Sequence, residues 1–291
     1  MSWFNHLPGI VQGLIGLGLA GIWFFVLAVV VKGRARAVAG AIAARGETTT
    51  NLILWTLDAL AVTPLLALLT AFLLAGMQRL GLVLSTGEIW RRIGPVGTGL
   101  AVVFAGDFVG YWRHRLEHTP WLWPAHAVHH SDREMTWLTL ERMHPVDRLV
   151  STMDTVILAG LGFPLWALGI NIMVRHYWGY MIHTDAPWTL GRAQWLINSP
   201  AMHRWHHCRD ERISGRNFAT VFSIFDRLFG TLHAPGPCHA PLGVEADMGR
   251  GWMGQYLYPL RVWLRLPDAS SAPATPIASD RLTPAPSPTS D

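Results

Sequence analysis

The chain has 291 residues, of which 51% are hydrophobic and only 14% are charged, and its formal net charge is +4. Soluble globular proteins carry about 25% charged residues, so this composition argues against an ordinary soluble domain and points to lipid. The basic residues form no dense stripe, which argues against nucleic-acid binding. Cys208 and Cys238 are the two cysteines. They give neither a disulfide framework nor a C-x-x-C metal pair, so we interpret both as free thiols.

Three apolar segments are long enough to cross a bilayer core of about 30 Å as helices. We predict these spans over residues 10–31, 52–77 and 93–112. No Lys or Arg precedes the first segment, and it is longer than the apolar part of a signal peptide, so we predict a retained span. Asp58 and Asp107 are acidic residues within the second and third segments, and an acidic residue in a membrane needs a partner or an aqueous face.

The charges of the first loop predict the orientation. Lys32, Arg34, Arg36 and Arg45 follow the first span, whereas the tail before it holds no Lys or Arg. Positive residues favour the cytoplasmic side, so we predict that the N-terminus lies outside. After three spans, the chain beyond residue 112 then lies in the cytoplasm.

A fourth apolar stretch, residues 150–174, has Gly160, Gly162 and Pro164 near its middle. Histidine clusters lie on both sides of this stretch, and they can meet only if it crosses the membrane an even number of times. We therefore predict two half-spanning helices that form a hairpin near residues 162–164.

The predicted fold class is all-α: an integral membrane helical bundle of three spans plus the hairpin, with a cytoplasmic histidine-rich metal site. We divide the chain into an N-terminal transmembrane region (1–92), a catalytic domain (93–266) and a tail (267–291). The tail alternates Pro, Ser, Ala and Thr, and such a composition predicts disorder.

Histidine is concentrated in three short motifs: HRLEH at 114–118, HAVHH at 126–130 and HRWHH at 203–207. His114 and His118 are four residues apart, which on a helix brings their Cβ atoms to about 5–6 Å. On a helix, all three imidazoles of each H-x-x-H-H motif can face one common cavity. His144, His176 and His183 are single histidines between the motifs.

These histidines outnumber the four ligands of a tetrahedral zinc ion, so the sequence predicts two metal ions. Imidazole binds Zn, Cu, Fe and Ni, and the ligand type alone leaves the metal open. The sequence contains no H-E-x-x-H, no G-x-S-x-G and no P-loop, which argues against a zinc protease, a serine hydrolase and a nucleotide-phosphate site.

The order H-x-x-x-H, H-x-x-H-H, a single later histidine and a second H-x-x-H-H resembles the fatty acid hydroxylase/sterol desaturase superfamily of membrane-bound non-haem di-iron enzymes. The flanking sequences DFVGYWRHRLEH, R-x-HPVD, IHTD, NSPAMHRWHH and FDRLFGT also resemble it, over residues 107–231. The resemblance implies two iron ions bound by nine histidines: His114, His118, His126, His129, His130, His183, His203, His206 and His207. Of the other histidines, His144 is expected beside the ligands, and His176 as a replacement for a ligand that some relatives place nearer His183.

Metal-bound histidines usually donate their second ring N–H to a carboxylate or a carbonyl. Asp107 lies two helical turns before His114, and Asp185 closely follows His183. We therefore take Asp107 and Asp185 as the candidate catalytic carboxylates. The further candidates are Asp132, Glu141 and Asp226.

The resemblance implies an enzyme that uses O₂ and external electrons to hydroxylate a C–H bond of a lipid-like substrate: an acyl chain, an amino or ether lipid, a carotenoid or a sterol. Desaturation of the same substrates is the alternative, because the motifs do not separate the two reactions. A zinc protein or a metal transporter is a further alternative, but a transporter predicts histidines within the spans, and the predicted spans hold none. We expect a separate reductase, ferredoxin or cytochrome as electron donor, and leave the oligomeric state open.

Overall fold

The computed structural model describes residues 8–249 and 251–266, so the predicted disordered tail, residues 267–291, lies outside the described residues. Within this described part the chain is almost entirely helical, and its only β pairing is an isolated bridge between Cys208 and Leu242. Both cysteines are buried free thiols. The α-helices are α1 (Gly9–Lys32), α2 (Arg34–Ala43), α3 (Arg45–Leu57), α4 (Thr63–Arg79), α5 (Gly87–Glu117), α6 (Trp123–His130), α7 (Pro145–Gly160), α8 (Leu165–His183), α9 (Pro200–His206), α10 (Glu211–Ser214), α11 (Ile224–Leu228) and α12 (Gly251–Trp263).

Three helical segments are long and apolar enough to cross a membrane, which confirms the three predicted spans. They are Gly9–Lys32, Arg45–Arg79 and Gly87–Glu117. Each is longer than predicted at both ends, because the helices continue into polar residues that a hydropathy argument leaves out. The chain therefore has the features of a multi-pass membrane protein.

The second span is interrupted by one turn of π-helix, Asp58–Val62, between α3 and α4. Pro64 follows this turn, and a proline ring clashes with the carbonyl four residues before it, so local widening of the helix is a common response. Asp58, an acidic residue expected to need a partner, has two: its Oδ2 accepts a hydrogen bond from Thr63 at 3.1 Å and lies 3.2 Å from Arg148 Nε.

The helix α5 bends at Gly94, whose φ of 72° leaves the helical region just before Pro95. After this bend it runs without interruption past residue 112, the predicted end of the span, to Glu117. The helix therefore continues beyond the predicted apolar span, and this extension carries His114.

The predicted hairpin is formed by α7 and α8, which are joined at residues 161–164. Both helices pack on α5, around a core of Val102, Val103, Leu158, Phe163, Ala167 and Leu168. With 16 and 19 residues they are about 24 and 28 Å long. They are therefore longer than the predicted half-spans, because α7 starts at Pro145 and α8 ends only at His183. The return of the chain places Pro145 and His183 at the same end of the bundle.

Gly162 at the tip of the hairpin is expected to tolerate no side chain. Its φ is +78°, and an added Cβ would clash with the Leu84 carbonyl oxygen and the Thr86 hydroxyl. We expect Gly162→Ala to lower the free energy of unfolding by about 1–3 kcal/mol, the usual cost of such backbone strain, measured as a lower thermal midpoint in detergent. The control is Gly169→Ala on α8, where a Cβ meets nothing within 4 Å. Equal midpoints for the two variants would contradict this account of the turn.

Candidate metal centre

The nine predicted histidines converge from separate segments to one end of the bundle. The end of α5 supplies His114 and His118, and α6 supplies the three histidines of HAVHH. His183 is the last residue of α8, and α9 with the residue after it supplies those of HRWHH. Seven of the nine are buried, and His114 and His118 are half-buried.

The local sequence explains why HRWHH is helical. Ser199 caps the N-terminus of α9 by accepting a hydrogen bond from the Met202 N–H at 3.3 Å, and Pro200 occupies the first turn. Serine is a preferred cap, and proline has no N–H to leave unsatisfied in the first turn. The motif SPAMHRWHH thus starts a short helix that carries the third histidine motif.

The histidines form two clusters. The five-histidine cluster consists of His114, His118, His126, His130 and His206, and the four-histidine cluster consists of His129, His183, His203 and His207. Within each cluster the candidate ligand nitrogens all lie within 4.8 Å of one another. The clusters are neighbours, since the rings of His130 and His207 stack with centroids 4.3 Å apart.

Each H-x-x-H-H motif divides its histidines between the clusters, which corrects the expectation of one common cavity. In HAVHH the first and last histidines belong to the five-histidine cluster and the middle one to the four-histidine cluster. In HRWHH the assignment is reversed. With 3.6 residues per turn, residues i and i+4 point about 40° apart, whereas i+3 and i+4 diverge by about 100°. Two such motifs facing each other can therefore complete two sites side by side.

Hydrogen bonds from Nδ1 fix the protonation of four ligand rings. A carbonyl oxygen can only accept, so each Nδ1 that contacts one carries the proton, and Nε2 keeps a free lone pair. The acceptors are the carbonyl oxygens of Phe218 for His114 (2.7 Å), Arg216 for His206 (2.6 Å), Gly179 for His183 (2.7 Å) and Arg142 for His129 (3.3 Å).

The free lone pairs face each other. The Nε2 atoms of His114 and His206 are 3.0 Å apart, and those of His129 and His183 are 3.2 Å apart. Neither atom of either pair carries a hydrogen, so a hydrogen bond between the two atoms is impossible, whereas a metal ion could accept both lone pairs. Imidazole nitrogens bind metal ions at about 2.0–2.1 Å, so ring nitrogens this close together fit ligands of one shared ion.

The electrostatics keep these rings neutral, as metal ligands must be. Burial lowers the pKa of His183 to about 4 and that of His206 to about 3. Burial also holds the pKa values of His118, His129, His130, His203 and His207 well below the ordinary range. His118 Nε2 is buried with no hydrogen-bond partner in the described structure, which fits a nitrogen that is aimed at an ion.

Asp147 is the carboxylate that bonds a cluster histidine. Its Oδ2 accepts a hydrogen bond from His126 Nδ1 at 3.0 Å. Burial opposes charge on both groups, but their mutual attraction raises the pKa of His126 and lowers that of Asp147. Sequence reasoning singled out H-P-V-D for its histidine and missed this aspartate, although the same motif contains it.

We expect Asp147→Asn to weaken metal binding by the five-histidine cluster about 10–100-fold, because the carboxylate fixes the tautomer and orientation of His126. Metal titration of the purified protein measures the change. Asp210→Asn is the control, since the Asp210 carboxylate is on the surface and pairs with Arg212. Unchanged metal affinity in Asp147→Asn would show that His126 is held by other contacts.

The structure does not bring the two predicted catalytic carboxylates to a histidine ring, which corrects the expected pairing. Asp107 accepts hydrogen bonds from the backbone N–H groups of residues 220–222 at 2.7–3.1 Å and lies 3.4 Å from Arg175 Nε. Asp185 is half exposed and pairs with Lys32 and Arg204. The acceptors of the ring N–H groups are instead Asp147 and backbone carbonyls, whose positions a sequence motif cannot show.

His144 and His176 lie outside both clusters. His144 precedes α7, accepts a hydrogen bond from the Val146 N–H at 3.2 Å and contacts the Tyr256 carbonyl with its other nitrogen. His176 Nε2 lies 3.5 Å from Glu141. Glu141 itself binds Arg148 and Tyr180.

Asp132 and Asp226 support the surrounding chain. Asp132 accepts hydrogen bonds from Asn51 and Thr139 at 3.0 and 2.7 Å. Asp226 accepts from the backbone N–H groups of Phe218 and Ala219 at 2.7 and 3.1 Å. Asp226 therefore holds the loop whose carbonyl at residue 218 orients His114.

Three apolar spans, a helical hairpin and two largely buried histidine clusters define a membrane protein with a histidine-rich candidate metal centre. Residues 99–231 match the family model described as fatty acid hydroxylase. This match covers a little under half of the chain and confirms the resemblance found in the sequence.

Several curated proteins are similar to the chain. An ornithine lipid hydroxylase of Rhizobium tropici is 28% identical over 173 residues, 58% of this chain and 51% of the relative. An alkylglycerol monooxygenase of Danio rerio is 31% identical over 168 residues, 56% of this chain and 37% of the relative. A methylsterol monooxygenase of Arabidopsis thaliana is 33% identical over 133 residues, 43% of this chain and 48% of the relative. The chain thus spans about half or less of the length of these relatives, and no solved structure matches it.

Proposed function

We propose that the protein is a membrane-bound oxygenase that uses O₂ and external electrons to hydroxylate a C–H bond of a lipid. The observation that carries this proposal is the convergence of nine largely buried histidines into two neighbouring clusters with lone pairs facing inward. The relatives support the reaction, since they are named as a lipid hydroxylase and as monooxygenases of lipids and sterols.

In this proposal each cluster holds one iron ion, and the nine clustered histidines are the ligands. Imidazole ligands are compatible with several metals, and the family favours iron among them. Reduced iron would activate O₂, which protein side chains alone cannot do. His144 and His176 are assigned no ligand role.

The residues of the chain orient and insulate the centre. Backbone carbonyls and Asp147 accept hydrogen bonds from the Nδ1–H groups of cluster histidines, so the Nε2 atom of each of these rings keeps a free lone pair that faces the cluster. The cluster side chains are largely withdrawn from solvent, and exclusion of water limits unwanted side reactions during oxidation. The four-histidine cluster has one histidine fewer, so an ion held there would have more room for an external molecule such as O₂.

We place the centre on the cytoplasmic side. The basic segment after the first span contacts the histidine region directly, because Lys32 pairs with Asp185, two residues after His183. Glu47 on α3 pairs with Arg142, whose carbonyl accepts from His129. Whichever side holds the basic segment therefore holds the centre, and positive residues favour the cytoplasm. The N-terminus then lies outside.

The proposed division at residue 92 separates an N-terminal membrane region from the catalytic domain. The two are in close contact, since Asn51 donates a hydrogen bond to Asp132 and accepts one from Arg142 at 2.6 Å. We propose that the first region anchors the protein and also supports the metal centre.

The test is turnover by the full chain, purified anaerobically with iron and supplied with a chemical reductant and a membrane lipid extract. We expect lipid products that form only with O₂ and that gain one oxygen atom by mass spectrometry, taken from isotopically heavy O₂. A loss of two hydrogens instead would make the protein a desaturase. Bound zinc without any O₂-dependent product would overturn the oxygenase proposal. In cells, comparison of lipids with and without the protein would identify the substrate.

A further inference from the structure

An open cavity of about 530 Å³ lies between the first span and the histidine region. Its apolar lining includes Phe24, Phe25 and Val31 of α1 together with Met135 and Leu138. The volume falls within the usual range of about 300–1,000 Å³ for small-molecule sites. The side chains of Phe25 and Val26 on α1 are exposed, so a molecule dissolved in the membrane can reach this wall from the side.

The polar end of the cavity carries an excess of positive charge. Four basic residues line it, Lys32, Arg36, Arg45 and Arg204, against the carboxylates of Glu134 and Asp185. Lys32 and Arg204 share Asp185, and Arg204 Nη1 lies 3.3 Å from its Oδ1.

Arg36 and Arg45 differ from the other two cations. Within the described part of the chain, neither guanidinium has an ion pair or a side-chain hydrogen bond, although both line the cavity. Guanidinium groups match carboxylate and phosphate oxygens in charge and geometry. An uncharged headgroup would leave both guanidiniums without such a partner.

The cavity lies next to the candidate metal centre, because residues that line it are sequence neighbours of cluster histidines. Thr184 and Asp185 directly follow His183, and Arg204 directly follows His203. Both histidines belong to the four-histidine cluster. An amphiphile in this cavity therefore lies beside the cluster with fewer protein ligands.

We propose that this cavity binds the substrate lipid, and that Arg36 and Arg45 select a headgroup with an anionic carboxylate or phosphate. The apolar wall of α1 takes the hydrocarbon part, and the basic end takes the headgroup. That the bound lipid is the substrate rests on the proposed function, but lipid binding to the cavity can be tested without turnover.

The experiment measures binding to the full chain in detergent micelles, without O₂ or reductant. The probe is fluorescent phosphatidic acid, and diacylglycerol with the same chains and label is the neutral comparison. We expect the protein to bind phosphatidic acid clearly more tightly than diacylglycerol. Arg36→Gln or Arg45→Gln alone should weaken the binding of phosphatidic acid about threefold, and both together about tenfold, which corresponds to about 1.4 kcal/mol for the two ion pairs. Arg34→Gln is the matched control, because Arg34 lies on α2, as Arg36 does, but does not line the cavity. The Arg34→Gln variant should bind phosphatidic acid as tightly as the unmodified protein does.

Equal binding of the two lipids would overturn the inference and indicate an apolar occupant only. Equal weakening by Arg34→Gln would overturn it too, because it would show a general surface-charge effect. Selective binding without any O₂-dependent product would leave this site standing and remove the proposed function. Conversely, equal turnover of acidic and neutral lipids would leave the function standing and remove the selectivity.

Discussion

Replacing His206 with alanine is expected to abolish lipid oxidation, lowering turnover by more than about 100-fold, the upper effect of losing a mere supporting contact at a metal site. His206 is fully buried in the five-histidine cluster, with its Nε2 3.0 Å from that of His114 and its Nδ1–H donated to the Arg216 carbonyl. Its loss removes one proposed ligand and leaves that carbonyl without its donor. Metal content per chain should fall, since a weakened cluster loses its ion during purification.

Turnover and metal content are measured on the same preparation of His206→Ala, together with its recovery from the membrane fraction. Recovery should be unchanged, because His206 lies outside the three spans. His239→Ala is the control, since His239 is exposed and lies outside both clusters. An active His206→Ala protein with full metal content would show that this histidine is not a ligand.

Replacing Asp107 with alanine is expected to cause the largest loss of stability. The Asp107 side chain is fully buried and accepts three backbone N–H groups of residues 220–222, besides facing Arg175. Removing one partner of a buried charged network costs about 3–5 kcal/mol. For a chain of this size, we expect a fall of about 6–20 °C in the thermal midpoint.

The measurement is thermal unfolding in detergent, and Asp210→Asn on the surface is its control. Asp107→Asn keeps the size of the side chain and one acceptor oxygen, so its midpoint should fall between those of Asp107→Ala and the unmodified protein. Metal content should fall along the same series, because the loop held by Asp107 begins two residues after the Phe218 carbonyl that orients His114. Midpoints close to that of the unmodified protein would show that this loop is held by other contacts, chiefly Asp226.

The positions of the histidines could be predicted from sequence because motif spacing expresses helix geometry. The nine predicted ligands are the nine histidines that the structure brings together, and the single histidines His144 and His176 stay apart. Their division into a group of five and a group of four depends on how α6 and α9 face each other. Spacing within one helix says nothing about that packing, so the expectation of a common cavity was wrong.

The carboxylates show more clearly which contacts cannot be predicted from the sequence. Asp107 sits two turns before His114 on the same helix, and proximity along the chain suggested that it supports that histidine. Its partners are backbone groups 113 to 115 residues away, in a loop without regular structure. Asp147, the carboxylate that does bond a cluster histidine, is 21 residues from His126. Contacts over such distances follow from tertiary folding and leave no local pattern.

The hairpin could be predicted because the membrane restricts the topology. Histidine clusters on both sides of residues 150–174 required an even number of crossings, and Gly162 and Pro164 marked the turn. The lengths of α7 and α8 could not be derived this way, because both helices extend beyond the apolar stretch into polar residues; α7, for example, starts where the His144 side chain accepts a hydrogen bond from the Val146 N–H.

In our proposal the two neighbouring histidine clusters hold two iron ions. The decisive measurement is the metal content of the full chain purified anaerobically, determined by mass spectrometry of the elements against protein concentration. We expect two iron ions per chain, and about one in His206→Ala. A single tightly bound zinc ion per chain, unaffected by His206→Ala, would contradict it.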